Sequence, residues 1–160
     1  MDDHHHEIHY ISSDLLTIER VGEILEKRKR LALSEDAKQR ISHCREFLDR
    51  KMETAEEPIY GITTGFGSLC NISIDTHQLS ELQKNLVMSH SCGIGEEVCE
   101  DVVRLMLLLK AQSLSYGNSG VQLATVQRLV DFYNEGILPV VYSQGSLGAS
   151  GDLAPLAHLS

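Results

Sequence analysis

Gly145-Ser146-Leu147-Gly148-Ala149-Ser150-Gly151-Asp152-Leu153-Ala154-Pro155-Leu156, residues 145–156, is the stretch on which the reading of this chain turns. Glycines at 145, 148 and 151 make a loop of small residues in which unusual backbone angles are accessible. Asp152 is a good helix cap and Pro155 suits a first helical turn, so the loop is expected to lead into a helix N-terminus. The familiar phosphate and nucleophile patterns do not fit it. The order Gly145-x-x-Gly148-x-x-Gly151 is not GxGxxG, no Gly-Lys-Ser or Gly-Lys-Thr occurs, and neither Ser146 nor Ser150 completes GxSxG.

The tripeptide Ala149-Ser150-Gly151 points to a different chemistry. A glycine nitrogen, unhindered by a Cβ, can attack the carbonyl two residues back when the backbone bends tightly. Loss of one water closes a five-membered ring. Loss of a second water, from the serine, leaves an exocyclic alkene. The chain thereby makes a strong electrophile from its own atoms, and small residues on both sides let the turn compress.

The rest of the sequence is globular in composition. It has 160 residues, 42% hydrophobic and 23% charged, enough for a real core. Lys and Arg number 14 against 23 Asp and Glu, a net charge of −9. With no basic stripe to offset it, this balance argues against nucleic acid or an anionic membrane as partner. The longest apolar run, Leu105–Leu109, is far short of the roughly 20 residues of a membrane span. Residues 1–7 are expected to be a flexible tail without the layout of a signal peptide. Cys44, Cys70, Cys92 and Cys99 form no CxxC pair, and reduced thiols in the cytoplasm are the expectation. Cys92, Cys99, His77 and His90 match no common zinc spacing, so no metal is expected.

Periodicity predicts a mainly α chain. A first helix is expected over 14–29, capped by Asp14, with Leu15, Ile18, Val21 and Leu25 inward. A second starts after Ser34 and presents Ala37, Ile41, Cys44 and Leu48. The glycine-rich segment Tyr60-Gly61-Ile62-Thr63-Thr64-Gly65-Phe66-Gly67 reads as a loop. A third helix is expected over about 75–89, with Leu79, Leu82 and Leu86 inward. Residues 98–116 are apolar on nearly every side and predict a helix buried all round, with a subunit interface favoured as its cover. Another helix runs over about 121–134 to Gly136, and 137–142 suits a short edge strand limited by Pro139.

With these segments in place, GSLGASGDLAPLAHLS resembles the signature of the aromatic amino acid ammonia-lyases, the histidine and phenylalanine ammonia-lyase family. YGITTGFGSL at 60–69 looks like the family's tyrosine-bearing loop, LQKNLVMSHSCGIGE at 82–96 like its selectivity helix, and LLLKAQSLSYGNSGV at 107–121 like the buried helix that follows. The resemblance covers about residues 8–160 and rests on four motifs in order.

The resemblance implies a mainly helical fold with short strands and glycine-rich loops, of the ammonia-lyase and fumarase-aspartase-like type. It implies that 1–160 is the N-terminal part of one catalytic unit whose C-terminal helical part is absent from this chain. The implied cofactor is 4-methylideneimidazol-5-one (MIO), formed autocatalytically from Ala149, Ser150 and Gly151, with no external cofactor. Tyr60 would be the catalytic base that removes a β-proton of an amino acid substrate. The pair that meets the substrate ring falls on Ser89 and His90, and Ser-His resembles the family's histidine-specific members. A polar pair can hydrogen-bond an imidazole, which an apolar pair would strand. The implied reaction is therefore the non-oxidative deamination of L-histidine to trans-urocanate and ammonia, by a homotetramer. Asn118 and Gln122 depart from the aromatic residue and Arg common at their positions, and some tyrosine lyases share Ser-His. The alternatives are a tyrosine or phenylalanine ammonia-lyase or aminomutase, and an inactive or non-catalytic helical assembly module.

Overall fold

The computed structural model describes residues 7–55, 57–65, 72, 74, 76–146, 148 and 151–160. Between Ile8 and Leu33 the chain makes a strand, a helix and a second strand parallel to the first. Strand β1 (Ile8–Ile11) pairs with β2 (Arg30–Leu33) in the register Ile8 to Arg30 and Ile11 to Leu33. Helix α1 (Ile18–Glu26) connects them. Neither strand is visible in the periodicity, because each is only four residues long and borders a helix signal.

Helix α1 corrects the sequence expectation at both ends. Its cap is Thr17, whose hydroxyl accepts the Arg20 N–H at 3.3 Å, and not Asp14. Leu15 and Ile18 are 85% and 86% exposed, and the helix buries Ile24 instead. The helix stops before Lys29 because Arg28 takes a left-handed conformation, φ 48°, with no glycine to announce it. Lys29, nearly buried, is then met by Glu7 at 2.7 Å and Glu23 at 2.8 Å.

Helix α2 (Glu35–Thr54) begins as expected, with the Ala37 N–H donating to the Ser34 hydroxyl at 3.1 Å. It buries Ala37 and Ile41, while Cys44 is half-buried. Helix α3 (Leu79–His90) follows a short 3-10 turn at Thr76–Gln78 and buries no residue fully. Helix α4 (Glu100–Ser115) buries Val103, Leu107, Leu108, Ala111 and Leu114. Within this chain Val102 and Leu109 remain 43% and 45% exposed. Helix α5 (Leu123–Glu135) ends on left-handed Gly136, φ 66°, as the glycine signal predicts.

Two compact units emerge. The first comprises Met1–Arg50 and Cys99–Pro139; α4 packs on α5, and α5 on β2. The Asn134 side chain fastens α5 to the sheet, accepting the Leu31 N–H at 2.7 Å and donating to the Leu31 carbonyl at 2.9 Å. The Gln112 amide donates to the Ser12 carbonyl at 2.8 Å and ties α4 to the segment after β1.

The second unit comprises Lys51–Val98 and Val140–Ser160. Its antiparallel strands are β3 (Ile94–Glu97) and β4 (Tyr142–Gln144), with an irregularity between the Ile94–Gln144 and Glu97–Tyr142 pairs. The strand expected at 137–142 thus begins only at Tyr142, beyond Pro139. Helix α6 (Ala154–His158) packs on α3 and β4. Val141, Ala154 and Leu159 are its buried apolar residues among those described. No helix among the described residues is long and apolar enough to cross a membrane.

Candidate active site

All the candidate residues belong to the second unit. Tyr60 lies in a tight turn that two threonines hold. The Thr63 hydroxyl accepts the Ile59 N–H at 2.8 Å, and the Thr63 N–H donates to the Ile59 carbonyl at 2.9 Å. The Thr64 hydroxyl accepts the Gly61 N–H at 3.1 Å and donates to the Gly65 carbonyl at 2.9 Å. Gly61 sits at φ 72°, where a side chain would be strained. Thr64 is buried while Tyr60 is 62% exposed, so the fixed frame presents the phenol outward. The two threonines went unread in the sequence; the signal was a hydroxyl residue three or four positions from a loop glycine or its neighbour.

Ser89 and His90 close α3. The Ser89 hydroxyl donates to the Leu86 carbonyl at 2.9 Å. Nδ1 of His90 lies 2.7 Å from that same carbonyl and 3.0 Å from the Ser89 oxygen. A carbonyl can only accept, so the proton of a neutral His90 resides on Nδ1. Nε2 is then left as an acceptor. Ser89 is exposed and His90 half-buried, which leaves the pair accessible.

Ala149 and Ser150 lie outside the described residues, but the residues that flank them are described. The Gly151 N–H donates to the Gly148 carbonyl at 3.2 Å. Gly151 has φ 100°, a conformation open to glycine, and no atom crowds the space where a Cβ would stand. Asp152 then fixes the loop's base. Its Oδ1 accepts the Ser146 N–H at 2.9 Å and the Ala154 N–H at 3.0 Å. Asp152 is therefore one position before the true cap of α6, Leu153, while Pro155 stands in the first turn as expected. Gly145 passes so close that a Cβ would strike the Asp152 carboxylate.

The remaining contacts support α6. The Tyr142 N–H donates to Nδ1 of His158 at 3.4 Å, and the two rings meet edge to face at 5.9 Å. A Cβ on Gly93 would run into His158 and, at 2.9 Å, into Tyr142. A cleft of about 230 Å³ runs along α3, lined by Ile74, Gln78, Glu81, Leu82 and Asn85, and none of the candidate residues lines it. No group of His, Cys, Asp and Glu among the described residues is arranged to hold a metal ion.

A family model for aromatic amino acid lyases matches residues 16–160. The histidine ammonia-lyase of Caldanaerobacter subterraneus subsp. tengcongensis is 48% identical over 149 residues, which is 93% of this chain and 29% of that protein. The crystal structure of histidine ammonia-lyase from Trypanosoma cruzi is 35% identical with a TM-score of 0.80, over 96% of this chain and 28% of that one. The tyrosine aminomutase structure from Streptomyces globisporus is 34% identical with a TM-score of 0.84, over 94% of this chain and 28% of that one. The chain thus spans under a third of the length of the relatives it matches.

Proposed function

Because this chain belongs to the aromatic amino acid lyase family, we propose that it is the N-terminal part of a histidine ammonia-lyase, converting L-histidine to trans-urocanate and ammonia. The observation that carries the substrate is the bonding of His90. With Nδ1 committed to the Leu86 carbonyl, Nε2 is free to accept from the imidazole N–H of a substrate. Leaving that N–H unpaired in an apolar site costs a few kcal/mol, about 1–3. The 44–48% identity to curated histidine ammonia-lyases supports the same choice.

The electrophile is MIO, and the described residues fit its formation. Gly151 adopts a backbone conformation open to glycine, with no atom where a Cβ would stand, and Asp152 holds both ends of the loop. When present, MIO supplies an alkene that takes up the substrate amine and makes it a better leaving group. Tyr60, held by Thr63 and Thr64, takes the β-proton at its phenolic oxygen. Ser89 and His90 orient the ring. The whole enzyme is a cytoplasmic homotetramer in which further helices complete the site, and residues 1–160 are the N-terminal part of one catalytic unit.

The test uses the full-length protein. Consumption of L-histidine, L-tyrosine and L-phenylalanine, each offered alone, is followed together with urocanate release, and the digest spanning 144–160 is weighed. Release of urocanate from histidine, with a peptide short by two waters, is the expected result. Turnover of tyrosine alone would overturn the substrate and favour the aminomutase-like reading that the Streptomyces globisporus likeness supports. An unmodified Ser150 in the folded protein would overturn the chemistry.

A further inference from the structure

The first unit carries a second cavity, of about 290 Å³, where the turn after α1 meets the start of α4 and the end of α5. Two guanidinium groups line it, Arg28 and Arg104, and neither makes an ion pair or a side-chain hydrogen bond among the described residues. The other cations there are engaged. Arg30 pairs with Glu135 at 3.0 Å, and Lys29 is taken by Glu7 and Glu23. Asp101 is the remaining carboxylate, so two free positive charges face one negative in a chain of net charge −9. The buried Tyr133 also lines the cavity, and burial raises its hydroxyl above the ordinary range, which keeps it a proton donor.

Arg28 is where it is at some cost. The Lys29 N–H donates to the Ile24 carbonyl at 3.0 Å and the Arg28 N–H to the Leu25 carbonyl at 3.2 Å. This is the helix ending that ordinarily places glycine at the left-handed position. An L-residue there is strained, and such strain at a residue lining a cavity is a pointer to use. Arginine, not glycine, holds the position, and its side chain lines the cavity with Arg104.

We propose that this cavity binds a phosphate group, with Arg28 and Arg104 as the anion clamp, the Tyr133 hydroxyl as a further donor, and Asp101 as acceptor of a hydrogen bond from a P–OH. Paired guanidinium groups match the oxygens of a phosphate in a way single ammonium groups do not. The volume is near the lower limit of small-molecule pockets, about 300 Å³, which admits a phosphate ion or a monoester. The site lies outside the unit that holds Tyr60 and Gly151, and it stands whether or not the proposed lyase reaction is correct.

The test is titration of the full chain with inorganic phosphate by calorimetry at constant ionic strength, with chloride and sulfate as controls and a nucleoside monophosphate as a second arm. Saturable phosphate binding is expected, weakened at least tenfold in both Arg28→Gly and Arg104→Gln. Arg28→Gly is also expected to raise the melting temperature without phosphate, since it relieves the left-handed strain, so lost binding would not reflect lost folding. A monoester that binds tenfold tighter than the free ion assigns the site to esters, and equal binding assigns it to phosphate itself. Absence of saturable binding, equal response to chloride, or unchanged affinity in both variants would overturn the proposal.

Discussion

Replacing Gly145 by alanine tests whether the Asp152 carboxylate holds the loop that carries Ala149-Ser150-Gly151. The new methyl would come within 2.6 Å of Oδ2 of Asp152 and 2.5 Å of the Ala154 methyl. Ala154 is fully buried and Asp152 is exposed, so Asp152 is the group that yields. Its movement forfeits the bonds from Ser146 N–H and Ala154 N–H. Bonds to a charged acceptor contribute about 1.5–3 kcal/mol each when shielded, and the exposure of Asp152 reduces the pair to about 2 kcal/mol together. For a chain of this size that corresponds to a melting temperature lower by about 4–8 °C. Asp152→Ala removes the same two bonds and has a similar expected cost. The two substitutions therefore should not add. The double variant is expected to cost at least about 1 kcal/mol less than the sum, the Ala154 contact alone remaining. Urea unfolding of the four proteins measures this, and the mass of the 144–160 peptide reports the loss of two waters in each. Additive costs, or full dehydration in both single variants, would refute the reasoning.

Four further outcomes follow from other parts of the molecule. Ser89→Phe with His90→Leu removes both proposed polar partners of a substrate imidazole, and is expected to cut histidine turnover on the order of a hundredfold or more while phenylalanine turnover rises; steady-state rates on both substrates check it. Gly22→Ala, in an open helix position, should stabilise by about 0.5–1 kcal/mol. Gly117→Ala, at φ 74° with its methyl 2.8 Å from the Arg40 carbonyl oxygen, should destabilise by about 2–4 kcal/mol, both read by thermal melts. Lys29 first, and then Lys27, hold the Glu23 carboxyl at about 2, against an ordinary 4.5. A depressed carboxyl stabilises the fold above its unfolded value and loses that contribution as pH falls, so acid melts between about pH 4.5 and 2 should be shallower in Glu23→Gln.

How much of this was legible in the sequence depends on the length of each signal. Helices α4 and α5 were readable because dense apolar runs and a terminal glycine, Gly136, state their extent. The expected start of α1 failed because Leu15 and Ile18 obey the helical period yet face solvent, and the true core residue is Ile24. Four-residue strands such as β1 and β3 carry too few positions to display alternation. For the site, the backbone requirements of Gly61 and Gly151 were visible as glycines in small-residue loops. The supporting bonds of Thr63, Thr64 and Asp152 were not, since a side chain that folds back on its own backbone leaves no periodic trace.

The Asn134 amide does for β2 what a neighbouring β-strand would do. Parallel pairing leaves the N–H and carbonyl of Leu31 pointing away from β1, and Asn134 satisfies both. A sheet of only two strands ordinarily presents such groups as a template on which a foreign chain can add. Here one carboxamide blocks that growth at its middle. Substituting Asn134 should therefore show itself first as concentration-dependent association through the freed rim of the sheet, ahead of any loss of the helix that carries it.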